Sequence, residues 1–163
     1  MPDLSDHEQA ILKLGQNRRL AHKTLFKHRH THDSPDFHYE IIDLWANQQI
    51  KHALVMAFRG AAKSTLAEEA ITISACYREF HNGIILGETY HRAVERLTSI
   101  KHEIETNEYI ELLFGDLVGP VWTENKIVLT NGVIIQAFGR GQSLRGSKHL
   151  DWRPDIAFAD DVE

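Results

Sequence analysis

The stretch Ala57-Phe58-Arg59-Gly60-Ala61-Ala62-Lys63-Ser64-Thr65 decides how this chain is read. It closes KHALVMAF, residues 51–58, an apolar run rich in strand formers. It opens STLAEEAITISACYREFH, where Leu66, Ala70, Ile73 and Tyr77 recur at helical spacing. Strand, small-residue loop, lysine, hydroxyl residue and helix make the layout of a phosphate-binding loop. Gly60, Ala61 and Ala62 are small enough for backbone N–H groups to encircle phosphate oxygens, and the new helix adds its partial positive charge. Lys63 would reach the β/γ-phosphates, and the Ser64 hydroxyl, followed by Thr65, would ligate magnesium. Ala57 and Ala62 stand where two glycines are usual, so the pattern is a relaxed one. A strand-to-helix turn with a surface lysine is the plain alternative. Arg59, inside the loop, would reach the γ-phosphate or switch between phosphate and a carboxylate; otherwise it is a solvated loop arginine.

The flanking sequence extends the same alternation. DFHYEIIDLWANQQ has Phe37, Ile41, Leu44 and Trp45 at a helical period. Gly83–Gly87, GIILG, reads as a second buried strand, and Thr89 can cap a long amphipathic helix running to about Asn107. Fully apolar strands alternating with helices argue an α/β fold built on a parallel sheet. After Gly119 the pattern changes: KIVLT and VIIQAF flank Asn131-Gly132, a strong hairpin signal. GRGQSLRGSKHLDWRP is a loop carrying Arg140, Arg145, Lys148 and Arg153 against one carboxylate, Asp151. DIAFADDVE then reads as an apolar strand with acidic residues at its C-terminal end.

Those acids supply the other half of an ATP site. Asp160 would hold Mg2+, and a neighbouring carboxylate would position and deprotonate the attacking water. Side chains alternate along a strand, so Asp160 and Asp161 point the same way only if the strand ends there. Asp161 is favoured as the catalytic carboxylate, with Glu163 a close rival.

The chain has 163 residues, 42% of them apolar and 25% charged, and a net charge of −5. That suffices for a packed core and excludes a disordered tail. The single Cys76 excludes a disulfide framework and a cysteine-built zinc site, and a cytoplasmic location is the expectation. No apolar run has a membrane-spanning length. Net acidity does not exclude a polyanion, because Lys13 to His32 holds Lys13, Arg18, Arg19, Lys23, Lys27 and Arg29, four histidines and no carboxylate. This stretch is either a DNA-facing stripe or a helical arm whose Leu14, Leu20, Leu25 and Phe26 touch the core. His28, His30 and His32 alternate, but a spacing of two on a loop is poor ligand geometry.

In order, Arg-x-x-x-Lys-Ser, GETYHRAVERLTSIKHEIETN, the W-x-x-x-x-I-x-L-x-N-G-V-x-I-x-A hairpin, GQSLRG and RPDIAFADDVE resemble the ATPase domain of the large terminase subunit of tailed bacteriophages. The resemblance covers about residues 35–163. It implies a P-loop NTPase fold of the ASCE/RecA-like type: a mostly parallel sheet with flanking helices and a β-hairpin insertion. Residues 1–50 would form a helical arm and adenine-side helix, and 51–163 a partial ATPase core. It implies ATP-phosphate binding by Arg59, Gly60, Lys63, Ser64 and Thr65, and Mg2+ and water activation by Asp160 and Asp161. Some family members place a glutamate second, which keeps Glu163 open. Phe37 and His38 correspond to the adenine side. Arg145 resembles an arginine presented to a neighbouring subunit's ATP, a role worth roughly 10³–10⁵ in rate where it is best studied. Arg140 and Arg153 compete for it.

The implied function is ATP hydrolysis coupled to packaging of double-stranded DNA. The implied partners are a portal protein, a small terminase subunit and copies of the chain in a ring, in the bacterial host cytoplasm and transiently at the procapsid, with no membrane. Because the sequence stops directly after the aspartate strand, the resemblance also implies a fragment lacking a central strand and a nuclease domain, with marginal stability and little turnover alone. A helicase-like motor and a catalytically silent binding module are the competing readings.

Overall fold

The computed structural model describes residues 4–144 and 153–161. The chain divides into two compact units, Met1–Ile73 and Ser74–Glu163.

In the first unit, α1 (Asp6–Gln16) starts from a reciprocal cap: the Ser5 hydroxyl accepts from the Glu8 N–H, and the Glu8 carboxylate accepts from the Ser5 N–H. Asn17 ends α1 and caps α2 (Arg18–Leu25), accepting the Leu20 N–H at 3.0 Å. Leu14, Leu25 and Phe26 are buried, so the basic stretch folds as a helical arm against the core. Helix α3 (Asp36–Ala46) buries Ile41 and Ile42 against Leu66 of α4 (Lys63–Cys76), with Phe37, Tyr39, Trp45 and Val55 packed around them.

Residues 51–58 depart from expectation. They lie outside every strand among the described residues, although their composition suits one. Val55 and Ala57 are half-buried, whereas Leu54, Met56 and Phe58 are 83%, 86% and 68% exposed. Apolar composition makes a segment fit for a sheet, but only a strand alongside satisfies its backbone groups.

The second unit holds β1 (Asn82–Gly87), α5 (Tyr90–Thr106), α6 (Glu108–Phe114), β2 (Val121–Trp122), β3 (Lys126–Val128), β4 (Ile134–Gly139) and β5 (Ile156–Asp160). The sheet order is β2-β3-β4-β1-β5. β1 pairs in parallel with β4 and β5, while β2–β3 and β3–β4 are antiparallel. The expected mostly parallel sheet is therefore corrected to a mixed one within an α/β fold. Segment 51–58 adds no parallel strand, and the arms of the Asn131-Gly132 hairpin add antiparallel ones. That hairpin forms as read, with Ile127 opposite Ile135 and Gly132 in the left-handed region at φ +89°.

Buried on nearly every residue, β1 sits between two parallel neighbours, which is why its run is continuously apolar. Thr89 caps α5, accepting the Arg92 N–H. Ala93, Leu97, Ile100 and Ile104 then recur at helical spacing on its buried face. Asp155 fastens the start of β5 by accepting the N–H groups of His81 and Asn82, each at 2.8 Å.

Candidate functional site

The loop between residue 57 and α4 is a tight turn with two left-handed residues. The Ala61 N–H donates to the Phe58 carbonyl at 3.2 Å, Gly60 takes φ +87° and Ala62 takes φ +55°. The chain thus reverses tightly and enters α4 at Lys63, with the Leu66 N–H already bonded to the Ala62 carbonyl at 2.9 Å. Turns that mix right- and left-handed residues aim successive N–H groups into one concavity. The Lys63 side chain folds back over the loop, and its Nζ donates to the carbonyls of Ala57 at 2.9 Å and Phe58 at 3.4 Å. An ammonium held by weak neutral acceptors can exchange them for the stronger charge of a phosphate.

Helix α3 supports this loop. His38 Nε2 lies 3.0 Å from the Ala61 carbonyl oxygen; a carbonyl only accepts, so Nε2 carries the proton and donates. The Phe37 ring lies 5.9 Å from that of Phe58. Beside them an open groove of about 280 Å³ is lined by Phe37, Glu40, Ile41, Leu44 and residues 54–57. The two residues assigned to the adenine side thus adjoin the loop.

In the second unit, three parallel strands end at one edge of the sheet, where Gly87 is the partner of both Gly139 and Asp160. Open α/β sheets bind ligands outside such carboxyl ends. Strand β5 stops at Asp160, and Asp161 turns into the left-handed region at φ +49°, a conformation aspartate tolerates better than most residues. The condition for the two aspartates to share one side, that the strand ends between them, is met. Arg96 of α5 donates from Nε to Asp160 Oδ2 at 2.9 Å. Arg140 is exposed at the same edge, its N–H donating to the Gly87 carbonyl at 3.1 Å. Arg153 lies at the other end of β5, before Asp155. Arg145, Lys148, Asp151 and Glu163 lie outside the described residues. Lys63 and Asp160 belong to different units.

Much of the basic stretch is committed to carboxylates. Arg19 makes a two-armed bond to Asp43, whose carboxyl it holds below the ordinary carboxylate range. Arg29 donates to Glu68 at 3.0 Å. His22 Nδ1 and His30 Nε2 both meet the fully buried carboxylate of Glu69 at 3.0 Å. Lys13, Lys23 and Lys27 stay exposed. Sequence reasoning missed this cluster, as it missed Arg96: Glu68-Glu69 looks like the solvated face of a helix. Among the described residues no group of three or more His, Cys, Asp or Glu side chains could hold a metal ion.

No protein-family model, curated protein or solved structure matches the chain. Among the described residues no helix is long and apolar enough to cross a membrane.

Proposed function

We propose that this chain is part of an ATP-hydrolysing motor of the terminase type, with a P-loop NTPase core, acting on double-stranded DNA. The observation that carries the reading is the loop itself: left-handed Gly60 and Ala62 deliver Lys63 at the first residue of α4, with its ammonium folded over the loop carbonyls. Lys63 and the loop N–H groups would hold the β/γ-phosphates, Ser64 and Thr65 would complete the cradle, and Arg59 would face the γ-phosphate.

A single carboxylate at a strand end suits Mg2+, which keeps several waters and takes its other ligands from phosphates. Asp160 and Ser64 are the residues that would hold it, and the bound ion would neutralise charge developing on the transferred phosphoryl. Asp161, with Glu163 as rival, would accept the proton of the attacking water. Arg145, Arg140 or Arg153 would serve a neighbouring copy, and DNA would be contacted through its phosphates. The portal protein and small terminase subunit are proposed partners in the same sense.

Two observations favour a second reading, a silent binding module. Segment 51–58 pairs with no strand among the described residues, and Asp160 lies on an edge strand. Equilibrium titration with a fluorescent ATP analogue and Mg2+ separates the two. The motor reading expects saturable binding that Lys63→Ala abolishes. Absence of binding, or binding indifferent to Lys63→Ala, overturns it and leaves the binding module.

A further inference from the structure

Arg96 is placed with unusual definition. Helix α5 seats its first turns directly on the carboxyl edge of the sheet, because Gly87 and Gly139 leave no side chain in the way. A Cβ on Gly139 would come within 2.3 Å of the Tyr90 nitrogen, and one on Gly87 within 2.7 Å of the Ala93 nitrogen. Tyr90, Ala93 and Arg96 are spaced by three, so they share the helix face that meets this edge. Glu95, the acid next to Arg96 in sequence, is engaged by His91 at 3.3 Å and Arg92 at 3.4 Å. Arg96 instead reaches the last residue of β5, with its side chain 31% and that of Asp160 26% exposed.

We infer that Arg96 is a positioning residue for Asp160: it is the counter-charge of that carboxylate before a divalent cation arrives, and it competes with the cation for it. The inference rests on the reading of Asp160 as a magnesium-site residue. A partly covered carboxylate gains from a counter-charge at hydrogen-bond distance. The Arg96 bond engages Oδ2, and a carboxylate has lone pairs enough to accept a water of a hydrated ion as well. Two cationic partners at one carboxylate repel, however, so the bridge raises the Mg2+ concentration at which the site fills. Arg96 thereby keeps β5 ordered when the site is empty and makes nucleotide retention depend on Mg2+ supply.

The test uses the full chain, a non-hydrolysable ATP analogue and a Mg2+ titration, with the Arg96 Nε–H resonance followed in parallel. In the unsubstituted chain that resonance should move as Mg2+ and analogue are added together, and stay still in Lys63→Ala. Arg96→Gln, which keeps a donor without the charge, should lower the half-saturating Mg2+ for analogue binding about three- to fivefold, within the range of a partly exposed ion pair. Arg96→Lys should leave it near the unsubstituted value. A resonance that does not move in the unsubstituted chain, which needs no variant to fold, overturns the inference. So does an unchanged or raised Mg2+ requirement in Arg96→Gln. If analogue binding is present and lost in Lys63→Ala while either of those results holds, only the role of Arg96 falls. If the unsubstituted chain binds no analogue at any Mg2+, the motor reading and this inference fall together.

Discussion

His38 Nε2 and the carbonyl oxygen of Ala61 lie 3.0 Å apart, joining α3 to the turn that precedes Lys63. Ala61 is only 3% exposed, so little water is on hand to replace a lost donor. Deleting the imidazole in His38→Ala should lower the stability of this unit by about 1 kcal/mol and weaken ATP-analogue binding by up to about fivefold. Gln can donate from its amide, so His38→Gln should recover part of both. Denaturant unfolding and analogue titration on the three chains check this; a His38→Ala chain as stable as the original would show that the bond holds nothing.

Ala62 is a residue with a Cβ at a left-handed φ of +55°, where a phosphate loop usually has glycine. The left-handed conformation disfavours an L-residue by about 1–2 kcal/mol, and glycine gives back part of that through the greater freedom of its unfolded chain. Ala62→Gly is therefore expected to stabilise by about 0.5 kcal/mol, and Ala62→Val, β-branched, to destabilise by more than 1 kcal/mol. Opposite signs in denaturant midpoints at unchanged m-value are the expected result. Equal midpoints would mean that the loop relaxes away from φ +55° at no cost.

How far the sequence led follows from these positions. The hairpin around Asn131-Gly132, the Thr89 cap and the continuous apolar β1 depend on neighbours in sequence, and they formed as read. Segment 51–58 did not become a strand, because composition reports fitness for a sheet and says nothing of who lies alongside. The Glu69 cluster joins residues 47 apart in sequence, and Arg96 reaches one 64 positions away. Nothing local distinguishes Arg96 from Arg92, which stays on its own helix with Glu95. Of the candidate site, the loop and the end of β5 were legible as local signals, and their counter-charges were not.

Glu69 has no exposed surface and carries two imidazoles, with Arg29 Nε at 3.8 Å. Removing one member of a buried charged set leaves the rest without compensation, at about 3–5 kcal/mol. Glu69→Ala should thus be among the most damaging changes in the first unit, and Glu69→Gln, which keeps acceptor and volume, clearly milder. In a double-mutant cycle, His22→Ala and Glu69→Gln should couple by more than about 0.5 kcal/mol. Additive effects would assign the burial of Glu69 to packing alone.

Gly139 and Gly132 make a paired test of why glycines are present. A Cβ at Gly139 would strike the Tyr90 backbone, whereas Gly132 has nothing within 4 Å and only its φ of +89° at stake. Gly139→Ala must shift α5 or the strand end, so about 2–3 kcal/mol of destabilisation is expected, with loss of the Arg96–Asp160 bridge. Gly132→Ala should cost only about 1 kcal/mol of backbone strain and leave that bridge intact. Thermal unfolding reads the first quantity and the Arg96 Nε–H resonance the second.

Acid should release the clasp between α2 and α3. Arg19 bonds to Asp43 and lowers its pKa below the ordinary carboxylate value. A carboxyl depressed in the folded state contributes stability that is fully present above its unfolded pKa and is lost as pH falls through the folded one. The stability difference between the original chain and Asp43→Asn should therefore be constant above about pH 5 and shrink toward zero as the solution is acidified below about pH 4. Both side chains are half exposed, so the difference at neutral pH is small and should diminish further in 1 M salt, where the screening length is about 3 Å. Glu8, lowered by its bonds to Ser5, is the same in both chains and cancels in the comparison. A difference that persists unchanged at pH 2, or that salt leaves untouched, would show that Asp43 does not act through its charge.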